Sequence, residues 1–208
     1  MIDPTPDRPV ALIPISIDLI RVPTGIVGNG ATALRRFQQV AQAGATALVF
    51  ATAPEADLAT AAGPWLRRRE PGDGDLDGLR LLYITGLDPA AAARLAAHAR
   101  DRGLLVNVED VPTLCDFHSA AVVRRGDMVI AISTGGRSPG LAARLRRYLE
   151  AAIPADWARH LDEAAALRRL WRAGGANMAT VAARTDRLAE SRGWLPALAG
   201  RRAKPRTR

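Results

Sequence analysis

Gly25-Ile26-Val27-Gly28-Asn29-Gly30-Ala31-Thr32-Ala33-Leu34-Arg35-Arg36 is the stretch from which the rest of this chain is read. Val22 and Ile26-Val27 read as a short strand, and Gly28, Gly30 and Ala33 stand at G-x-G-x-x-A spacing. Ala31 to Ala43 continues as a helical pattern that Gly44 closes. Gly28 lets the chain turn, Gly30 puts no Cβ in the way of a pyrophosphate, and Ala33 lets the helix approach the sheet closely. The helix start offers unpaired N–H groups to an anion. The spacing therefore predicts a dinucleotide site over Gly28, Asn29, Gly30, Ala31, Thr32 and Ala33. It equally suits a close-packed strand, turn and helix with no ligand.

Outward from that turn, Ala45-Thr46-Ala47-Leu48-Val49-Phe50-Ala51 is an apolar run of strand length, completing a βαβ unit. An acid after this second strand commonly holds the adenosine ribose. Here Glu55 is the only acid in Thr52-Ala53-Pro54-Glu55 and it lies past a proline, so the ribose partner stays open. No arginine stands there for a 2′-phosphate, which favours NAD over NADP. Upstream, Val10 to Leu19 reads as extended, with Pro14 tolerable at a sheet edge.

Residues 64–79 read mostly as loop, and Arg80 to Gly86 as a strand whose end brings Thr85 and Gly86 to the same turn region. Asp88-Pro89 is an N-cap followed by proline at the first helical position, opening a helix from Ala90 to about Arg102. Leu104 to Val108 is the next strand, and it delivers Glu109-Asp110 at its carboxyl end, where open parallel sheets bind ligands. If the strand continued, those two side chains would point to opposite faces, so at most one would meet a cleft. After the strand Met128–Ser133, the turn Thr134-Gly135-Gly136-Arg137-Ser138-Pro139 is dense in hydroxyls, glycine N–H groups and a guanidinium, all suited to anions. Ser138-Pro139 is also an ordinary helix start, for a helix from Gly140 to about Ile153 carrying Arg144, Arg146 and Arg147. From Ala155 to about Trp194 the pattern is helical, broken at Gly174-Gly175, with Trp157, Trp171 and Trp194 read as packing anchors.

The 208 residues carry 29 basic and 21 acidic side chains, a net charge of +8 that points to an anionic partner. Arg201, Arg202, Lys204, Arg206 and Arg208 supply five of those charges in a tail without apolar periodicity. Basic runs interleaved with aromatics are lacking, so nucleic acid is not the expected partner. Cys115 is the only cysteine, which excludes an intrachain disulfide and a cysteine-cluster metal site. No protein metal site is expected. The amino terminus lacks a signal-peptide pattern and no apolar run reaches membrane-spanning length, so a cytoplasmic location without membrane attachment is expected.

Taken in order, GIVGNGATALRR, ATALVFATAPE, DLDGLRLLYITGLD, VNVEDVPTLCDF and IAISTGGRSPGLAARLRRYLE resemble the amino-terminal part of siroheme synthase and the stand-alone precorrin-2 dehydrogenase/sirohydrochlorin ferrochelatase proteins. The likeness runs from about Ile13 to Pro154, and the N-V-x-D-x-P and I-S-T-G-G-x-S-P blocks carry most of its specificity. It implies an α/β chain divided into an NAD-binding Rossmann-like parallel-sheet domain (1–113), a central dimerisation and substrate segment (114–153), a small helical domain (154–200) and a basic disordered tail (201–208). It further implies NAD-dependent oxidation of precorrin-2 to sirohydrochlorin on a homodimer. In bifunctional members, Fe²⁺ insertion into the product follows, with Co²⁺ as the other candidate metal. The family's key aspartate falls on Asp110, as the acceptor of protons released in dehydrogenation and metallation. The macrocycle supplies four nitrogens to the metal, so no protein cage is required.

A polycarboxylate substrate accounts for the basic balance, with Arg137, Arg144 and Arg147 as candidates to meet it, beside Thr134, Gly135 and Ser138. Solvated helix faces would explain those arginines equally well. The chain departs from the family at Leu87, where a threonine is usual, at Asn29, where glycine is common, and at His118-Ser119-Ala120, where a proline is common. His118 is a candidate second proton carrier or metal guide, or a packed histidine. The methyltransferase part of the fused enzymes is not in the sequence, so synthesis of precorrin-2 itself is not expected. Two other readings stay open: a dehydrogenase without chelatase activity, and a non-catalytic nucleotide- or tetrapyrrole-binding protein.

Overall fold

Strand β1 (Thr24–Gly28) is buried along its whole length, which requires neighbours on both edges and cover on both faces. In the computed structural model, which describes residues 12–195, it pairs in parallel with β2 (Ala47–Phe50) and with β4 (Leu81–Thr85). β2 pairs with the two-residue β3 (Leu66–Arg67), and β4 with β5 (Leu105–Val108), giving a five-stranded parallel sheet in the order β3-β2-β1-β4-β5. The strand order reverses at β1/β4, the position where Rossmann-like sheets open a crevice at their carboxyl edge.

Helices cover the faces through short apolar spacings. Ala33, Phe37 and Val40 of α1 (Gly30–Gln42) recur at helical period and pack with Ile26, Val49 and Leu58. Leu58 belongs to α2 (Ala56–Ala62). On the other face, Ala92, Ala96 and Ala99 of α3 (Pro89–Asp101) lie on Val27, Leu82, Ile84 and Val106. Three alanines in that stripe let α3 approach the sheet closely. Leu76 and Leu79, from the otherwise polar connection before β4, fill the remainder of this layer. Asp88 caps α3 by accepting from Ala90 N at 3.0 Å and Ala91 N at 2.9 Å.

The chain divides into two compact units. The sheet unit runs to Ser119 and includes Gly135–Arg137; the second unit comprises Ala120–Thr134 and the chain from Ser138 onward. The second unit holds an antiparallel hairpin of β6 (Ala121–Arg125) and β7 (Met128–Ile132), joined at Gly126-Asp127. Its helices are α4 (Pro139–Ala152), α5 (Trp157–Ala173) and α6 (Met178–Ser191). Arg125 ends α4 by donating to the carbonyls of Ile153 at 2.6 Å and Glu150 at 2.7 Å. The His160 ring stacks on Trp194 at 4.6 Å and meets Trp157 edge-on at 5.4 Å, so two of the expected anchors close on one histidine.

Three local readings change. Residues 12–17 form no strand, and Pro14 in their midst has no N–H to give a ladder; Val10 and Ala11 lie outside the described residues. The helix α2 and the two-residue β3 arise in a stretch too short and too alanine-rich for periodicity to mark. Strand β6 forms around Val122-Val123, followed at once by Arg124-Arg125, a stretch to which the sequence assigned no element. Residues 196–208, with the expected basic tail, lie outside the described residues.

Replacing Asp88 by alanine leaves two N–H groups of the first α3 turn without their acceptor. Stability should fall by about 1 kcal/mol, read as a lower urea midpoint at unchanged slope.

Candidate functional site

Four chain segments end together at the carboxyl edge of the sheet: the turns after β1, β2, β4 and β5. At the first, Gly28 has φ 133° and pairs with Thr85 of β4. A Cβ there would fall 1.8 Å from the Thr85 carbonyl oxygen, so no other residue fits. Gly30, with φ 71°, starts α1, whose first turn holds no acidic side chain and whose N-cap side chain forms no capping bond. The N–H groups of that turn are left open to an anion. Ala33 is fully buried against the sheet, as its place in the spacing requires.

Asn29 stitches this turn to the one after β2: its Nδ2 donates to the Ala53 carbonyl and its Oδ1 accepts from Glu55 N at 3.1 Å. That link brings Glu55 over the glycine turn, its carboxylate 3.4 Å from where a Gly30 Cβ would stand. Glu55 is the N-cap of α2 but makes no side-chain cap bond, so its oxygens face the turn unused. The acid that spacing alone left open thus has a place beside the nucleotide turn. Its signal lay in Asn29, whose amide bridges segments 24 and 26 residues apart in sequence.

Thr85 supplies the fit for a nucleotide from the other side. Its Oγ1 is buried, has no hydrogen-bond partner among the described residues, and lies 2.5 Å from the position of a Gly28 Cβ. An orphaned hydroxyl at a cradle that only glycine can line suits a bound polar group. Gly86, with φ 64°, closes on the Asn29 backbone. Leu87 is partly buried against the α3 layer, so the departure from threonine places a core side chain there.

The segment after β5 is held at both ends. Glu109 N continues the ladder to the Ile84 carbonyl at 2.9 Å, and Val111 N returns to the Val108 carbonyl at 3.3 Å. Between them Asp110 takes φ 59°, a left-handed conformation that Asp tolerates better than most residues. Its side chain is exposed and makes no hydrogen bond among the described residues. The strand has ended, so Glu109 and Asp110 do not simply alternate: Glu109 bonds Arg35 at 2.8 Å and Arg36 at 2.6 Å, leaving Asp110 as the carboxylate facing solvent. Two strand spacings along the sheet separate β5 from β1, roughly 10 Å.

Cys115-Asp116-Phe117 fastens the far side of this loop to β5. The Cys115 thiol donates to the Val108 carbonyl at 3.2 Å, Asp116 accepts from Val106 N at 2.9 Å and from Arg100, and the Phe117 carbonyl accepts from Asn107 at 2.8 Å. Burial pushes the Cys115 thiol above its ordinary pKa, keeping it a protonated packing group. The motif that helped carry the family likeness is therefore a loop clamp.

The other expected site residues divide between the units. His118 packs on Gly136, where a Cβ would lie 3.4 Å from its Cε1. In the second unit Thr134 Oγ1 accepts from Ser138 N at 3.2 Å, and Ser138 Oγ accepts from Leu141 N at 3.3 Å, so Ser138 is the α4 cap. Arg137, Arg144 and Arg147 are exposed and form no ion pair among the described residues. Among the described residues no group of three His, Cys, Asp or Glu side chains is placed to hold a metal ion. No described helix is long and apolar enough to cross a membrane. A cavity of about 580 Å³ lies at the opposite, amino-terminal edge of the sheet, lined by Pro23, Thr24, Thr46, Trp65 and Arg67, away from all of these groups.

The comparisons agree with this geometry. Residues 125–152 match the family described as "Sirohaem biosynthesis protein central". Siroheme synthase of Methylococcus capsulatus is 38% identical over 159 residues, 75% of this chain and 34% of the relative. Siroheme synthase of Pseudomonas entomophila is 42% identical over 137 residues, 64% of this chain and 29% of the relative. The chain thus spans about a third of the length of these curated relatives. The solved structure of "SirC, precorrin-2 dehydrogenase" superposes with a TM-score of 0.72 at 21% identity, covering 89% of this chain and 93% of that one. It shows the same fold.

Replacing Thr85 by valine removes a buried hydroxyl that has no partner. The unliganded protein should gain about 1 kcal/mol while NAD affinity falls about fivefold, the worth of one hydrogen bond; thermal melts with and without NAD read both effects. Residues 15–121, just over half of the chain, match the family described as "Putative NAD(P)-binding", and the chain belongs to that family.

Proposed function

We propose that this protein oxidises precorrin-2 to sirohydrochlorin with NAD as the hydride acceptor. The observation that carries the reading is one carboxyl edge that joins a glycine cradle for a dinucleotide to a solvent-facing aspartate, Asp110, held in place from both sides. The siroheme synthase relatives and the solved dehydrogenase fold support the substrate class.

The residues divide the work by chemistry. Gly28 and Gly30 admit the pyrophosphate to the α1 start, where the N–H groups of Ala31, Thr32 and Ala33 meet its charge. Glu55 accepts hydrogen bonds from ribose hydroxyls and repels a 2′-phosphate, so NAD is preferred to NADP. Thr85 donates its unpartnered hydroxyl to the nucleotide, beside Gly86. Bound NAD supplies a two-electron acceptor for the substrate hydride. Loss of that hydride leaves a proton on the substrate, and Asp110 takes it. Arg137, Arg144 and Arg147 pair with substrate carboxylates, beside Thr134, Gly135 and Ser138. His118, seated on Gly136, stands next to that anion-binding turn.

The same carboxylate suits the removal of pyrrole protons during insertion of Fe²⁺ or Co²⁺, which are substrates here. The protein is further proposed to act as a homodimer in the cytoplasm. Leu141, Leu145 and Tyr148 support the dimer: they are exposed at spacings of four and three along α4, an apolar stripe suited to a second copy. The half-buried thiol of Cys115, bonded to backbone, suits a reducing compartment.

Turnover of precorrin-2 should appear with NAD and be at least tenfold slower with NADP. Asp110→Asn should lower kcat by about 100-fold or more while NAD affinity by calorimetry stays within twofold. Retention of full activity by that variant would remove Asp110 from the mechanism. Metal uptake by sirohydrochlorin, followed by absorbance in the same preparations, separates a bifunctional enzyme from a dehydrogenase alone, and tight tetrapyrrole binding without turnover would favour a binding protein. Sedimentation should give twice the chain mass.

A further inference from the structure

We propose that Glu109 is a positioning residue for the reaction: its bonds to Arg35 and Arg36 tie the turn carrying Asp110 to α1, the helix whose start meets the nucleotide. This rests on the role given to Asp110 above.

Three hydrogen bonds form the latch. Arg35 Nη2 donates to Glu109 Oε1 at 2.8 Å, and Arg36 donates to Oε2 from Nη2 at 2.6 Å and from Nε at 3.2 Å. Isolated surface pairs contribute little, but this one is sheltered: the side chains of Arg36 and Glu109 are only 11% and 17% exposed. Every nitrogen of the Arg36 guanidinium is engaged, since Nη1 donates to Gln39 Oε1 at 3.0 Å. Its plane lies 5.3 Å from the centre of the Tyr83 ring, and Phe117 meets that ring edge-on at 5.3 Å. The arginine is thus held by Gln39 on α1 and by the Tyr83 ring of β4, itself packed on Phe117, beside its bonds to Glu109.

Asp110 has no comparable hold of its own. Its carboxylate makes no hydrogen bond among the described residues, and its backbone stands at φ 59°. Its direction is therefore inherited from the residues on either side. Val111 is held locally, its N–H on the Val108 carbonyl at 3.3 Å and its carbonyl accepting from Leu114 N at 3.0 Å and from the Cys115 thiol at 3.4 Å, whereas Glu109 alone ties this turn by its side chain to α1. Reaction rates fall steeply when a catalytic group moves by about 1 Å.

The test uses the full chain with Glu109→Ala and Glu109→Gln, the second keeping shape if the first fails to fold. Expected are a fall in kcat of about tenfold or more and NAD affinity within twofold. Arg36→Gln should give a similar loss, and the double variant should be no worse than either single. Hydrogen exchange of the Glu109, Asp110 and Val111 amides should be at least about tenfold faster in the variants, a reading that needs no turnover. Unchanged kcat in a folded variant overturns the proposal, as does a fall in kcat that only follows lost NAD affinity. If the unaltered protein fails to turn over precorrin-2, the proposed function falls, and the exchange rates alone decide the latch: unchanged rates overturn it.

Discussion

The contact between Gly28 and Thr85 is the constraint on which the rest of this protein depends. Two parallel strands come so close at their carboxyl ends that a β-carbon on one would overlap the carbonyl of the other. The closeness sets where β1 turns, and so where α1 begins and which N–H groups look outward. It also buries the Thr85 hydroxyl where none of the described residues meets its oxygen.

Around that contact the site is assembled by polar links between segments far apart in the chain. Asn29 fastens the turn after β1 to the turn after β2, and Glu109 fastens the turn after β5 back to α1. Cys115, Asp116 and Asn107 secure the returning loop along β5. Loops that carry function are usually the mobile parts of a fold. Here the turn after β1 is bonded by its asparagine to the turn after β2, and the segment after β5 by its side chains to α1 and to β5 itself.

The parts of this arrangement visible in the sequence were those with a local cause. G-x-G-x-x-A announces its turn because the backbone demands glycine, and Asp88-Pro89 and Ser138-Pro139 announce helix starts because a cap and a proline act within three residues. Strands β1, β2, β4 and β5 were legible from continuous apolar runs, as expected where both faces are covered. What stayed hidden was long-range. Glu109 meets arginines 74 and 73 residues earlier, and neither charge pattern nor spacing marks the partnership. Glu55 appeared misplaced beyond Pro54 until the amide of Asn29 drew it back over the turn. Leu87, which departs from the family's usual threonine, packs against the layer that α3 covers.

The backbone at Asp110 bears on which residues this position can accept. A left-handed residue other than glycine is best tolerated as asparagine or aspartate, whose short polar side chains ease the crowding. The proton uptake proposed for this place calls for a carboxylate, which among side chains only aspartate and glutamate provide. The two demands overlap in a single member of the amino-acid alphabet, so at this site the geometry of the peptide and the chemistry of the side chain select the same letter independently.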